Sequence, residues 1–279
     1  MELIHTVANL KKAIELRKSE GKTIGFVPTM GALHEGHLSL VRRAGEETGF
    51  VVVSIFVNPT QFNNKEDLKR YPRTLETDME LLKSTKCNLV FAPSVEEVYP
   101  EEDTREFDFG SLGNVMEGVH RPGHFNGVAQ VVSKLFDIVQ PHKSYFGLKD
   151  FQQLAIINKM VEQLNLNVEI IPCPIVREKD GLAMSSRNTL LNPEQRENAV
   201  VISKTLFEAV KRAETHSLEE VKKWVIDTIN QNPYLETEYF EIVDDKELKS
   251  ANFWDQPVNK IGCVAVHCGK VRLIDNITF

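Results

Sequence analysis

Nothing in this sequence reads as a membrane anchor, a disulfide framework or a nucleic-acid platform. No apolar run reaches the roughly 18 residues that a membrane-spanning helix needs, and the opening residues lack the basic and apolar segments of a secretory leader. The four cysteines, Cys87, Cys173, Cys263 and Cys268, are widely scattered, and three of them lie in apolar, strand-like runs where a free thiol behaves as a small core residue. Cys263 and Cys268 flank His267, which suggests zinc, but on alternating strand geometry the two cysteines point to opposite faces. A reducing cytoplasm is the expected compartment. Basic residues are outnumbered, 33 Lys and Arg against 40 Asp and Glu, for a net charge of −7, so a large nucleic acid would meet an unfavourable field. The pairs Lys11-Lys12 and Lys222-Lys223 fall on polar helix faces and read as solvated surface. Internal repeats and low-complexity segments are also lacking.

What is present is the composition of an ordinary globular protein: 279 residues, 42% hydrophobic and 26% charged, enough for two cores. Residues 6–20 have helical spacing, Thr23 to Val27 is a short apolar strand, and Phe50 to Val57 is almost continuously apolar. A strand that apolar is buried on both faces, as in the centre of a parallel sheet. Asn88 to Phe91 and Val168 to Ile171 are further short strands, and residues 127–139 and 150–161 have inward-facing helical stripes. Beyond Val176 the character changes. Asn192-Pro193 and the capping box Ser217-Leu218-Glu219-Glu220 open two helices, and Tyr239 to Val243, Gly262 to Cys268 and Lys270 to Ile274 alternate as strands. The expected architecture is a parallel α/β domain over 1–176 and a smaller α+β domain over 177–279.

The stretch Pro28-Thr29-Met30-Gly31-Ala32-Leu33-His34-Glu35-Gly36-His37 joins the first apolar strand to a helix. In a parallel sheet such a loop lies at the carboxyl end of a strand, where the next helix offers unpaired N–H groups to anions. The two histidines are three apart and can face one way, with Gly36 allowing close approach of a ligand. Imidazoles there can donate to phosphate oxygens, or one can be solvated and the other a helix cap.

Three later stretches carry similar chemistry. Asn58-Pro59-Thr60-Gln61 ends the Phe50 strand, and if the two strands are neighbours the Gln61 carboxamide lies beside the histidines; a solvated turn is the bland alternative. Ser144 to Asp150 repeats the pattern of strand, glycine and helix. There Gly147 and Leu148 can lie against a base or ribose, Lys149 supplies a charge for phosphate, Asp150 is placed as an N-cap, and Gln153 can point into the same cleft as Gln61. Met184-Ser185-Ser186-Arg187 offers hydroxyl and guanidinium donors in succession, as a phosphate clamp or as a cap with a surface arginine. The segment 100–126 has weak periodicity, and Arg121 with its flanking histidines can close over an anion. Phe107 to Phe109 is a candidate exposed strand.

His-x-Gly-His in this setting resembles the nucleotide-binding signature of class I aminoacyl-tRNA synthetases and small nucleotidylyltransferases. The full order is more selective: Pro-Thr-Met-Gly-Ala-Leu-His-x-Gly-His, Phe-Val-Asn-Pro-Thr-Gln-Phe, Phe-Gly-x-Lys-Asp-x-Gln-Gln and Met-Ser-Ser-Arg-Asn. Together these closely resemble the pantoate–β-alanine ligase (pantothenate synthetase) family, from about residue 23 to 190.

The resemblance implies a Rossmann-like nucleotidylyltransferase domain of the His-x-Gly-His type and an ATP-dependent ligase that passes through pantoyl adenylate. Met30, Gly31, Ala32, Leu33, His34, Glu35, Gly36 and His37 would form the ATP loop, with His37 as the family's proton donor. Gly147, Leu148, Lys149 and Asp150 would bind ribose and phosphate. Val176 would meet adenine through its backbone, and Met184, Ser185, Ser186 and Arg187 would close on the phosphates. Catalysis would fall to His34, His37, Lys149, Ser185, Ser186 and Arg187. Gln61 and Gln153 would hold pantoate, Gln61 also lying near β-alanine. Mg²⁺ is implied by the ATP chemistry, with Asp78 the ligand named for it, and the family is usually homodimeric.

A nucleotidylyltransferase with a phosphorylated acceptor would want more cations at the second site, where this chain has paired glutamines. A tRNA synthetase would need an anticodon module. A non-catalytic ATP-binding module is separated from both by assay.

Overall fold

The computed structural model describes residues 1–63 and 65–279, and all of their side chains except those of 65 and 67. Six strands form one parallel sheet: β1 (Glu2–Ile4), β2 (Ile24–Thr29), β3 (Phe50–Ile55), β4 (Leu89–Phe91), β5 (Lys143–Gly147) and β6 (Glu169–Cys173). Their spatial order is β1-β4-β3-β2-β5-β6. The apolar run expected at the centre is β3, whose Val51, Val52 and Val53 are at most 1% exposed, as a strand covered by helices on both faces requires. From β2 the chain steps outward through β3 and β4, then returns to β2's other side with β5 and β6. The direction therefore reverses between β2 and β5, and in open parallel sheets ligands bind at the carboxyl ends of the strands at such a switch. Register aligns the neighbours, with Thr29 opposite Ile55 and Phe26 opposite Ser144.

Helices α1 (Val7–Ser19), α2 (Glu35–Glu47), α3 (Lys65–Arg70), α4 (Leu75–Leu82), α5 (Val95–Val98), α6 (Glu117–His120), α7 (His124–Val139) and α8 (Phe151–Gln163) connect these strands. Two apolar layers result. One packs α1, α7 and α8 on one face around Phe26, Leu89 and Ile156, and the other packs α2 and α4 on the opposite face around Val27, Val41 and Leu82. The chain then builds α9 (Pro193–Arg212), α10 (Leu218–Asn230) and an antiparallel sheet of β7 (Leu235–Asp244), β8 (Lys260–Cys268) and β9 (Val271–Thr278), with a separate core around Leu206, Val225 and Val264. Both expected caps form as boxes, Asn192 with Gln195 and Ser217 with Glu220.

Several local expectations are corrected. Phe107 and Phe109 are not an exposed strand; their rings stack at 5.9 Å and pack on the main core. Helix α7 begins at His124, three residues earlier than its apolar stripe suggests, and Pro172 sits inside β6. The C-terminal sheet packs on the first domain through a small apolar cluster, Met116 with Val243, Leu248, Ile261 and Cys263, against Phe151 and Ala155 of α8. No helix among the described residues is long and apolar enough to cross a membrane.

Candidate active site

The loop after β2 is shaped from within. Thr29 Oγ1 donates to the Ser54 carbonyl at 2.7 Å and lies 3.2 Å from the Gly31 N–H, which it accepts. Gly31 and Ala32 follow in the left-handed region, at φ +81° and +50°. Asp78, 1% exposed on α4, fastens this turn. Its Oδ2 accepts from the Ala32 N–H at 3.0 Å, and its Oδ1 from the Leu33 N–H at 2.8 Å and from Thr74 Oγ1 at 3.2 Å. Asp78, the residue named from sequence for Mg²⁺, is thus the anchor of the loop after β2, with both oxygens engaged by it. This role is not local in sequence, because Asp78 lies 46 and 45 positions from the N–H groups it binds. Among the described residues no cluster of three or more His, Cys, Asp or Glu side chains could hold a metal.

Helix α2 starts on the histidines themselves. His34 is its N-cap, in extended backbone at φ −143° and ψ 176°, and accepts the Gly36 N–H on Nδ1 at 3.2 Å, while His37 Nδ1 accepts the His34 N–H at 3.3 Å. This is a capping box built from two imidazoles, which satisfies backbone donors otherwise left unpaired at a helix start. With each Nδ1 used as an acceptor, each neutral ring carries its proton on Nε2. Gly36 leaves room for the arrangement, since a Cβ there would lie 2.9 Å from the His34 ring. Burial, helped by the Lys149 charge, lowers His34 to a pKa of about 4. Burial, the His34 charge and Lys149 lower His37 to about 3. Both rings are neutral donors at neutral pH.

The end of β3 supplies Gln61, which is 8% exposed. Its Oε1 accepts from Asn58 Nδ2 at 3.2 Å and its Nε2 lies 3.1 Å from Met30 Sδ, so the amide's orientation is set. Asn58 is fixed in turn by the Tyr99 hydroxyl, which donates to its Oδ1 at 2.9 Å, and by the Gly127 carbonyl at 3.1 Å. Helix α7 comes this close because residue 127 is glycine; a Cβ there would stand 2.4 Å from the Thr60 carbonyl oxygen.

At the end of β5 the turn Leu148–Asp150 leads into α8. The expected cap at Asp150 is not made, as its side chain forms no capping hydrogen bond. The turn is held from outside instead. Asn276 on β9 donates through Nδ2 to the carbonyls of Leu148 at 2.8 Å and Lys149 at 3.0 Å. Its neighbour Asp275 binds Arg177 at 2.6 and 3.0 Å, and burial raises the Asp275 pKa against the opposing pull of that guanidinium. Beyond Arg177 the Met184 N–H returns to the Val176 carbonyl at 3.0 Å, and Ser185 caps a single turn over Ser186–Leu190. Ser186 Oγ lies 3.4 Å from the Tyr71 hydroxyl.

These segments line one cleft of about 220 Å³. Met30, His34, Gly36, His37, Gln61, Gly147, Lys149, Asp150, Gln153, Val176, Met184, Ser185, Ser186 and Arg187 all border it. The remaining expected residues stand behind it. Gly31 and Leu33 are buried under the loop with Ala32 beside them, Leu148 packs on the core, and Glu35 is exposed and paired with Arg42. Four contributors escaped the sequence reading. Val128 and Val131 form an apolar wall, Asn58 orients Gln61, and Tyr71 reaches Ser186. The valines have the spacing of an ordinary core stripe, so nothing in the pattern separates a cleft wall from a core. One face of the cleft thus offers neutral and charged donors suited to an anion, and the other offers carboxamides against an apolar wall, suited to a small molecule with both polar and apolar groups.

The chain matches the family model described as pantoate-beta-alanine ligase over residues 2–278. It is 56% identical to a protein of Bacteroides fragilis (strain YCH46) named pantothenate synthetase, over 100% of this chain and 99% of that protein. It is 48% identical to one of the same name from Acetivibrio thermocellus, over 99% of each. Among solved structures it resembles the pantothenate synthetase of Thermus thermophilus, with a TM-score of 0.92, 44% identity and 99% of each chain covered. It also resembles a Francisella tularensis pantoate-beta-alanine ligase complexed with beta-gamma ATP and beta-alanine, with a TM-score of 0.81, 36% identity, and 100% and 97% of the two chains covered.

Proposed function

The chain belongs to the pantoate–β-alanine ligase family, and from that membership we propose how this cleft performs the family's reaction. The protein is an ATP-dependent ligase that forms a C–N bond between pantoate and β-alanine to give pantothenate. A carboxylate is a poor acyl donor, so the acid is activated first. One pantoate carboxylate oxygen attacks the α-phosphorus of ATP, forming an acyl–O–P bond while the bond to pyrophosphate breaks. The amine of β-alanine, having lost a proton to solvent, then attacks the acyl carbon, the C–O bond to AMP breaks, and the nitrogen loses a second proton to solvent as the amide forms.

Each step has a match in the cleft. His34 and His37 donate from Nε2 to phosphate oxygens, where such donors gain strength as charge builds in the transition state. Lys149 and Arg187 neutralise the triphosphate, with Ser185 and Ser186 as neutral donors beside them. The Val176 N–H meets adenine, since its carbonyl is already taken by Met184. Gln61 and Gln153 hold the hydroxyl and carboxylate of pantoate, and Val128 and Val131 receive its methyl groups. Residues 1–176 act as the catalytic unit, and 177–279 as a lid that brings Ser185 to Arg187 over the phosphates.

The donors present do not form a metal cage, because Asp78 is committed to the loop. On this reading Mg²⁺ enters on the nucleotide as part of the substrate. The working form is a cytoplasmic homodimer, which sedimentation at micromolar concentration tests.

The observation that carries this reading is the convergence of three motif-bearing strand ends, those of adjacent β3, β2 and β5, on one cleft with Met184 to Arg187. The experiment is a set of omissions. Pantoate-dependent exchange of pyrophosphate into ATP is expected without β-alanine, and AMP with pantothenate only when all substrates and Mg²⁺ are present. Exchange that does not need pantoate overturns the assignment.

A further inference from the structure

A carboxamide is a donor at one end and an acceptor at the other, so a cleft that uses Gln61 must also fix which end faces the ligand. The main chain of Gln61 is held by His124, which is 5% exposed. Since a carbonyl only accepts, His124 Nδ1 donates to the Gln61 carbonyl at 2.9 Å, and its Nε2 accepts from Arg121 Nη1 at 3.0 Å. His120 turns the other way and stacks on Tyr239 at 5.4 Å between ring centroids.

The side chain of Gln61 answers to a different set of groups. Asn58, 1% exposed, stands between it and Tyr99. Asn58 Nδ2 lies 3.1 Å from the Gly127 carbonyl, which can only accept, and Oδ1 lies 3.4 Å from the Thr60 N–H, which can only donate. Those two groups fix the sense of the Asn58 amide, and its other partners must comply. The Tyr99 hydroxyl therefore donates to Oδ1, at 2.9 Å, and the Gln61 atom 3.2 Å from Nδ2 is the acceptor Oε1. Gln61 Nε2 is left 3.1 Å from Met30 Sδ, a weak acceptor, with an N–H to spare for the cleft.

Tyr99 itself does not border the cleft. It follows α5, its ring lies 6.3 Å from that of Phe56 between centroids, and the Lys134 ammonium stands 5.2 Å from the ring centroid. Burial raises the phenol pKa above its ordinary value, so the hydroxyl keeps its proton. Its bond is the shortest made to Asn58 Oδ1. The Thr60 hydroxyl lies 3.0 Å from Nδ2 and 3.2 Å from Oδ1, so it serves either sense of the amide and fixes neither. Without Tyr99, the long Thr60 N–H contact is the only donor of fixed sense left to Oδ1, and the relay loosens.

We propose that Tyr99 is a positioning residue for the first substrate: through Asn58 it holds Gln61 with its N–H toward the cleft, so that the hydroxy acid meets a donor and not a carbonyl oxygen. The inference rests on the ligase reading above and adds a residue outside the cleft that sets the polarity of one of its walls. A carboxylate only accepts, so a reversed Gln61 would repel the acid, whereas ATP on the opposite face does not depend on the relay.

The test uses pantoate-dependent exchange of pyrophosphate into ATP. Tyr99→Phe keeps the ring and removes the hydroxyl, and its KM for pantoate is expected to rise about tenfold, the upper range for one hydrogen bond. Its kcat, its KM for ATP and its melting temperature should stay close to wild type. In a Gln61→Ala background no amide remains to be turned, so adding Tyr99→Phe should change the KM for pantoate by less than about twofold. Asn58→Asp keeps the acceptor for Tyr99 but loses the donor to Gln61, which must then turn its Nε2 away from the cleft. Its KM for pantoate should rise at least as much, and it carries the test should Tyr99→Phe fold poorly. An unchanged KM for pantoate in either variant, equal rises for pantoate and ATP, or an undiminished effect of Tyr99→Phe in Gln61→Ala would overturn the proposal. A wild-type enzyme with no pantoate-dependent exchange removes the ligase reading itself, a different result.

Discussion

The rings of His34 and His37 face each other at 4.1 Å between centroids, and each spends its Nδ1 on a backbone N–H of the helix it begins. The helix start therefore dictates the tautomer, leaves both Nε2–H groups for the ligand, and keeps two imidazoles together without charge. A polyanion is what such a pair lacks. On the proposed reading, a triphosphate brought against them would raise both pKa values, and proton donation by His37 would follow nucleotide binding.

Replacing either histidine should therefore affect rate more than folding. His37→Gln keeps an amide donor but loses the fixed Nε2 position, and is expected to lower kcat for adenylate formation by about 10²–10³, the worth of one preorganised donor. Thermal melting should move by only a few degrees. Pyrophosphate release with ATP and pantoate is the measurement, and near-normal turnover would remove His37 from the site.

Gly36→Ala separates stability from activity. The substitution improves helix propensity by up to about 1 kcal/mol in a helix interior and by less at this second helical position. Yet the new Cβ would lie 2.9 Å from the His34 ring. The ring must swing away, and pyrophosphate release should fall at least tenfold while the melting temperature is maintained. An active Gly36→Ala enzyme would show that the ring position is unimportant.

Acid should weaken the fold over a defined window. His34, His37 and His124 have folded pKa values of about 4, 3 and 4, against 6.5 for the free side chain. Between pH 6.5 and about 4 the unfolded chain binds protons that the folded chain refuses. Stability is therefore complete above pH 6.5 and declines as pH falls through the window, by roughly 3 kcal/mol from buried His124 alone at about 1.36 kcal/mol per pKa unit. Urea midpoints at pH 7 and pH 4.5 check this. His124→Gln, which retains a donor and an acceptor, should show a smaller difference between the two.

Asp78 illustrates how far the sequence could be read. The alternation of strands and helices, the buried β3 and the motifs at the ends of β2, β3 and β5 are local signals, because hydrophobic period and glycine placement act over a few residues. Which loop an acid on α4 binds is not local, since Asp78 and Leu33 are 45 positions apart. The same holds for Val128, whose helical stripe is equally suited to a core, and for Asp150, whose side chain makes no cap while the turn's carbonyls are held by Asn276 from the other sheet. Phe107 to Phe109 misled because alternation does not reveal which aromatic rings stack inward.

As an anchor, Asp78 should behave unlike a metal ligand. Asp78→Ala leaves the Ala32 and Leu33 N–H groups buried without a partner, at a cost of about 2–3 kcal/mol of stability. It should also lower adenylate formation, since the turn carrying His34 loosens. The Mg²⁺ concentration for half-maximal rate should not change. A shift of tenfold or more in that concentration, at unchanged stability, would return Asp78 to the metal.

Asn276 ties the position of Lys149 to the C-terminal sheet across 127 residues of sequence. Both of its bonds run to carbonyls, so only a donor serves there. Asn276→Asp has the same shape but sets a carboxylate against two carbonyl oxygens, repelling the turn that carries the Lys149 ammonium. Because Arg272 on β9 remains paired with Glu117 on α6, the two units should stay docked and the melting temperature should fall only modestly. The KM for ATP in pyrophosphate exchange should rise about tenfold or more, whereas the KM for β-alanine, measured at saturating ATP, should change less. Asn276→Ala removes the donor without adding repulsion and should fall between wild type and Asn276→Asp. If the order of the two variants is reversed, or if both KM values rise together, Asn276 holds the sheets together without placing Lys149.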